Sequence, residues 1–134
     1  MKDSTMRTAF EIVKAHYDAN LRRDMDGMLA DIAPDCRWTE MDGFPCVGTY
    51  VGPQEIFKNV FLALGQLFDG YTFTLERLLD AGNDVVAIGE YTGTSKQTGK
   101  PFKARVVHVW GVAQDKIRRF EQFTDTLRVA ESMR

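Results

Sequence analysis

A carboxylate and an imidazole stand where the pattern of this chain asks for core side chains. In the run Phe102 to Val112, side chains alternate between two faces, and His108 shares one face with Phe102, Ala104, Val106, Trp110 and Val112. An unpaired polar group aimed into such an interior costs roughly 1–3 kcal/mol. His108 is therefore satisfied either by a buried neighbour or by the contents of a polar-dotted cavity. Glu40 lies on the face of Cys36 and Trp38. Turned inward, its carboxyl holds its proton more tightly than usual, which suits general acid–base chemistry near neutrality; at a sheet rim it is merely solvated. His16 and Asn20, four residues apart, share a helical face with Phe10, Val13 and Tyr17 and edge the same space. The Tyr17 hydroxyl, if inward, is a hydrogen-bond donor there. Asp125, in Phe123-Thr124-Asp125-Thr126, is either a third carboxylate at the mouth of that space or a helix cap accepting backbone amides near Leu127 and Arg128.

The elements that position these groups follow from periodicity. Behind Ser4 or Thr5 as N-cap, Met6, Phe10, Val13, Tyr17 and Leu21 mark one face of a helix running to about Arg23. Asp24 caps a second helix with Met25, Met28, Leu29 and Ile32 inward, stopped by Pro34. Cys36 to Glu40 alternates as a strand, and Asp42-Gly43-Phe44-Pro45 is turn chemistry. Gly48 to Pro53 leads into a third helix with proline in its first turn and the stripe Phe57, Val60, Phe61, Leu64 and Phe68. From Asp69 the period becomes two, predicting strands near 71–79, 85–94, 102–112 and 116–124 joined by tight turns. Such a run is an antiparallel meander, and the three N-terminal helices cover one of its faces. The expected architecture is α+β: a cone-shaped, curved antiparallel sheet with three helices enclosing a cavity. Residues 126–134 form a final helix.

The 134 residues make one domain, with 44% hydrophobic and 27% charged residues. A net charge of −2 argues against a nucleic-acid partner, since phosphate binding needs clustered Lys and Arg. No apolar leader and no stretch of about 20 apolar residues is present, which points to the cytoplasm and away from a membrane. Cys36 and Cys46 lack metal-ligand spacing and are expected as reduced thiols, with no metal site. Trp38, Tyr50, Phe57, Phe61, Tyr71, Phe73, Tyr91, Phe102, Trp110 and Phe120 line or underpin the cavity and favour a small apolar or aromatic, oxygen-bearing ligand. No nucleotide fingerprint or phosphate loop occurs, so no cofactor is implied. Arg105, Val107 and Val109 on the opposite face leave a half-apolar convex surface that a homodimer would cover.

Gly48-Thr49-Tyr50-Val51-Gly52-Pro53-Gln54-Glu55-Ile56, the Thr98-Gly99-Lys100-Pro101-Phe102 hairpin, Val107-His108-Val109-Trp110 and Phe123-Thr124-Asp125-Thr126 together resemble SnoaL-like proteins. These belong to the nuclear transport factor 2-like and ketosteroid isomerase superfamily, and the resemblance covers nearly the whole chain. It implies the cystatin-like cone of that superfamily. It places Glu40 where ketosteroid isomerases carry their aspartate base, and, with one residue removed from the following turn, His108 at the protonated aspartic acid of their oxyanion hole. Their oxyanion-hole tyrosine falls near His16, one residue from Tyr17. Epoxide-hydrolysing relatives pair aspartates with an arginine; here Arg105, by parity, faces away from His108. The resemblance implies a cofactor-independent enzyme of isomerase, cyclase or dehydratase type, with Glu40 as base and His108 or Tyr17 as oxyanion donor. A non-catalytic pocket protein is the alternative, and a dimeric scaffold in the manner of the transport-factor relatives is the third reading.

Overall fold

A computed structural model describes residues 6–134. The expected caps Ser4 and Thr5 lie outside them. Helix α1 (Ala9–Leu21) is instead opened by Thr8, whose hydroxyl accepts the Glu11 amide while the Glu11 carboxylate accepts the Thr8 amide. That reciprocal box starts the helix three residues later than the apolar stripe alone indicates, and Met6 is left exposed. Asp24 caps the short α2 (Met25–Leu29) through the Gly27 amide, as expected. The expected stop at Pro34 is corrected: α2 ends before Ile32, and Pro34 sits inside strand β1 (Ile32–Glu40). There the ladder to its neighbour is interrupted between Ile32 and Arg37, so the missing proline N–H costs no pairing.

Strand β2 (Gly48–Val51) pairs with β1, and the chain then turns into α3 (Gly52–Ile56), a π-helical turn (Phe57–Phe61) and α4 (Leu62–Leu67) in series. Gly52 is required at this turn: its φ is +85°, and an added Cβ would lie 2.7 Å from the Pro34 carbonyl oxygen. The meander follows as β3 (Phe68–Ala81), β4 (Asp84–Ser95), β5 (Pro101–Ala113) and β6 (Lys116–Thr124), closed by α5 (Thr126–Ser132). The six strands lie in the order β2-β1-β6-β5-β4-β3. The meander is antiparallel throughout, whereas β1 runs parallel to β6, which makes the sheet mixed. This pairing carries the N-terminal strand to the far side of the meander and sets Glu40 beside the end of β6.

The sheet bends over α1. Strand β3 slips register between Asp69 and Thr72 and again between Leu75 and Arg77, and irregularities of this kind bend a ladder and increase its twist. Opposite the second slip stands Gly89, where a Cβ would meet the Thr74 carbonyl oxygen at 2.2 Å and the Phe73 ring at 2.8 Å. The concave face and α1 enclose the core: Ile12, Val13, Trp38, Ile56, Val85, Trp110, Ile117 and Phe120 are all buried.

Candidate functional site

Strand parity turns His108 inward, as the alternation requires, and the residue is buried. Both ring nitrogens are engaged. Nδ1 lies 2.6 Å from the Tyr17 hydroxyl and Nε2 lies 2.6 Å from the Tyr91 hydroxyl. Trp110 Nε1 donates to Tyr17 Oη at 2.8 Å. Gln122, directly across the β5–β6 ladder from His108, donates to Tyr91 Oη at 3.0 Å and to Glu40 Oε1 at 3.3 Å. One chain of contacts therefore runs Trp110–Tyr17–His108–Tyr91–Gln122–Glu40 across the interior.

The direction of most of these bonds is fixed. The Met41 backbone N–H donates to Gln122 Oε1 at 3.3 Å, so the amide cannot be flipped without setting donor against donor. Both Gln122 hydrogens then point at Tyr91 and Glu40. The indole of Trp110 only donates. Burial pushes the His108 imidazole down to about 3, with the nearby His16 ring adding to the effect, so the ring is neutral and carries a single N–H. One tyrosine must donate to His108 and the other must accept from it. From Trp110 to Gln122 the chain holds six hydrogens for five bonds. The hydroxyl hydrogen of whichever tyrosine accepts from His108 is left over.

At the other end, Glu40 is 3% exposed. Burial pushes its carboxyl up to about 8, opposed by the Trp38 indole N–H and the Gln122 amide. At neutral pH the carboxyl is mostly protonated and close to its titration point, the condition in which a carboxyl both takes and returns protons effectively. The segment 41–47 covers it: Phe44 is buried with its ring 6.0 Å from that of Tyr91, and Cys46 is buried with its thiol pushed up to about 12. The Tyr50 hydroxyl reaches the Cys46 and Val47 carbonyls at 2.9 and 3.1 Å, so Tyr50 anchors this segment from outside the buried chain.

His16 is the second buried imidazole. Its Nδ1–H donates to the Met28 carbonyl at 2.9 Å, which leaves Nε2 as the acceptor, and burial lowers its proton affinity to about 4. The ring lies in an aromatic box with Trp110 (4.8 Å between centroids), Trp38 (6.1 Å) and Phe61 (6.4 Å). Trp38 in turn stacks on Phe120 at 3.8 Å. The π-helical turn is what brings Phe61 to Trp38 and His16. Asn20 and Phe57 are half-buried, and neither is a member of the chain of hydrogen bonds. Asp125 caps α5, accepting the Arg128 amide at 3.3 Å and pairing with the Arg128 guanidinium at 3.2 Å. It borders a surface groove of about 680 Å³ with Lys100, Phe102 and Leu127, away from the buried chain. Arg105 faces outward and pairs with Glu76.

The structure thus joins Glu40, His108, Tyr17 and Trp110, places His16, Trp38, Phe61 and Phe120 against them, and leaves Asn20, Tyr50, Phe57 and Asp125 outside. Gln122, the link between the two halves, is absent from the expected set. Its signal was available, since it shares the inward parity of Phe120 on β6. Tyr91 was expected only as aromatic lining. Among the described residues no group of three or more His, Cys, Asp or Glu side chains is placed to hold a metal ion, and no helix is long and apolar enough to cross a membrane.

Comparison with known proteins gives a consistent relation. A family model for the SnoaL-like domain matches residues 13–120. A nuclear transport factor 2-like protein from Burkholderia thailandensis E264 is 56% identical, with 96% of this chain and 99% of that chain covered at a TM-score of 0.95. TerC, crystallised with polyporic acid, is 26% identical over 92% of this chain and 96% of its own, at a TM-score of 0.82. Patulin synthesis protein F of Aspergillus clavatus is 30% identical over 95 residues, which cover 66% of this chain. The match spans 46% of that curated relative, a little under half its length.

Proposed function

The chain belongs to the SnoaL-like family, and on that premise we propose that it is a cofactor-independent enzyme using general acid–base chemistry of the isomerase, cyclase or dehydratase type. Its substrate is a small apolar molecule bearing a carbonyl group or an aromatic, polyketide-like skeleton. The observation that carries the reading is Glu40: a buried carboxyl raised to about 8 and linked through Gln122 to a Tyr91–His108–Tyr17 chain with one hydrogen to spare. Glu40 in its ionised form removes a proton next to the carbonyl, and a tyrosine hydroxyl stabilises the oxygen on which charge develops. Tyr91 suits that part better than Tyr17 because Gln122 ties it to Glu40. His108, with both nitrogens occupied, acts through the tyrosines as a positioning residue and sets which of them holds the free hydroxyl hydrogen. Access to Glu40 requires the segment 41–47 to lift Phe44. The likeness to TerC, crystallised with polyporic acid, supports a small organic ligand.

The test is deuterium exchange next to the carbonyl of a cyclic enone in heavy water, followed by proton NMR. The protein should accelerate exchange, and Glu40→Gln should abolish the acceleration. Equal exchange with both proteins would overturn the assignment of Glu40. The full engagement of His108 favours a second reading, a binding protein without turnover. In that case the enone binds both proteins and exchanges with neither.

A second copy of the chain is the proposed macromolecular partner, and the cytoplasm the proposed location. The outer sheet face carries half-buried Val86, Ile88, Val107 and Val109, with Phe123 47% exposed beside them. Sedimentation at micromolar concentration should give twice the chain mass, and Phe123→Glu should shift it toward the monomer; a wild-type protein sedimenting at the chain mass would refute the dimer.

A further inference from the structure

The parallel pairing of β1 with β6 runs as far as Thr39 and Glu121. Beyond that pair the two chains stay side by side, and side chains take over from the ladder. The Met41 N–H donates to Gln122 Oε1 at 3.3 Å, and the Thr124 N–H donates to the Met41 thioether at 3.2 Å. Gly43 then lies against Thr126, so close that an added Cβ would sit 3.0 Å from the threonine hydroxyl oxygen. Residues 122, 124 and 126 in turn therefore carry the start of the segment that covers Glu40.

Met41 is the joint of this arrangement. The Asp125 N–H bonds the Arg105 carbonyl of β5 at 3.2 Å, so by the alternation of an antiparallel pair the Thr124 N–H points away from β5 and toward the end of β1. The Thr124 hydroxyl donates to the same carbonyl at 2.8 Å. Thr124 is thus a fixed donor, and the sulfur of Met41 hangs from it. On its other side, the Met41 carbonyl accepts the Phe44 N–H at 3.2 Å, and the Phe44 carbonyl accepts the Val47 N–H at 3.1 Å, so both turns of the cover are built outward from Met41. The Met41 side chain is half-buried and packs on the core. What this joint holds is the direction of Gln122. With Oε1 on the Met41 N–H, the amide hydrogens face Glu40 and Tyr91; flipped, it would turn its oxygen on them instead. A thioether is a weak acceptor, so the contact that anchors Met41 is also the easiest one to remove.

We propose that Met41 is a positioning residue of this site: by taking the Thr124 N–H, its thioether keeps its own backbone N–H on Gln122 and thereby keeps the Gln122 hydrogens on Glu40 and Tyr91. The proposal rests on the Glu40 reading above and adds the residue that sets the orientation of its donor. The other titratable groups facing Glu40 are Cys46 in the cover, Tyr50 from β2, Tyr71 from β3 and Tyr91 from β4. Burial pushes all four upward, so they keep their protons through the range in which Glu40 titrates.

The test follows the Glu40 carboxyl by ¹³C NMR, and the Thr124 amide and Gln122 side-chain amide by hydrogen exchange, in the full chain and in Met41→Leu and Met41→Gln. Leucine keeps the volume and loses the acceptor, whereas glutamine, of similar length, offers a carbonyl oxygen in its place. Met41→Leu should speed exchange at both amides about tenfold. It should also raise the Glu40 midpoint by about half a pH unit, because a donor that favours the ionised form is lost. Met41→Gln should restore the wild-type values. In a Gln122→Leu background, Met41→Leu should leave the Glu40 midpoint where it was, since Met41 acts through Gln122. A residue needed for folding alone would lower stability and leave the midpoint in place. An unmoved midpoint or unchanged exchange in Met41→Leu, no restoration by Met41→Gln, or a shift that persists without Gln122 would overturn the proposal. Failure of the Glu40 reading shows separately, as a wild-type midpoint near 4.5, and the Met41 assignment then stands or falls on the two exchange rates.

Discussion

Two carboxylates end neighbouring strands at the same edge of the sheet, and they live in opposite worlds. Glu40 closes β1 and Asp125 follows β6; the two strands run parallel, with Thr39 beside Glu121. Glu40 is buried, raised to about 8 and bonded to one side-chain amide. Asp125 is half-exposed, caps a helix and sits beside an arginine. Position at a strand end does not decide which fate a carboxylate meets. Parity turns Glu40 to the concave side, and the segment carrying Phe44 and Cys46 then shuts it from water. The Asp125 amide still bonds the Arg105 carbonyl of β5, but its side-chain oxygens are taken by the first turn of α5.

The widest separation between the two should appear in activity. Glu40→Gln is expected to reduce enone exchange by about 10²- to 10⁴-fold, the range for loss of a general acid–base group, while Asp125→Asn should stay within twofold. Comparable losses in the two variants would erase the distinction. Next in size is the stability of the chain that ends on Glu40. Tyr17→Phe leaves the Trp110 N–H and one His108 nitrogen without partners and should cost about 3 kcal/mol in urea unfolding. A cost below about 1 kcal/mol would mean that the chain tolerates gaps.

A smaller effect separates the regions by pH. The Glu40 carboxyl binds its proton more tightly folded than unfolded, so it stabilises fully below its ordinary value of 4.5, and this contribution is lost as pH rises toward about 8. His16 and His108 are held down to about 4 and about 3, so their contributions are present above the ordinary 6.5 and are lost as pH falls toward those values. Two histidines outweigh one carboxyl below 6.5, and the carboxyl acts alone above it. Stability should peak near pH 6.5 and fall by about 2 kcal/mol on reaching pH 8. Glu40→Gln should remove that fall and Asp125→Asn should preserve it. Least of all, Asp125→Ala should cost about 1 kcal/mol, the usual loss of an N-cap, with unchanged exchange.

Most of the architecture was legible because its signals are periodic. The meander, the inward parity of His108 and Glu40, the cap at Asp24 and the proline-led third helix all follow from local spacing. The start of α1 and the fate of Pro34 did not, because each depends on a competing interaction: a capping box at Thr8 outranks an apolar Met6, and a break in a ladder makes room for proline. The parallel β1–β6 pairing joins distant segments and leaves no local trace. At the site, residue types were readable and their partners were not. Whether an inward His108 meets a ligand or a tyrosine is decided by two side chains, from α1 and β4, that only the fold brings together. Gln122 was hidden by its type, since a glutamine on a strand reads as surface until its neighbours on the same face are seen to be Phe120 and the core.

The central claim is that Glu40 is a buried acid–base group poised near neutrality. Its most direct test is a ¹³C NMR titration of the Glu40 side-chain carboxyl in the folded protein, with Asp125 followed in the same spectra as the exposed reference. A midpoint near 8 for Glu40, far above that of Asp125, is the predicted result. A Glu40 midpoint close to 4.5 would show a solvated carboxylate at a sheet rim and would contradict the account.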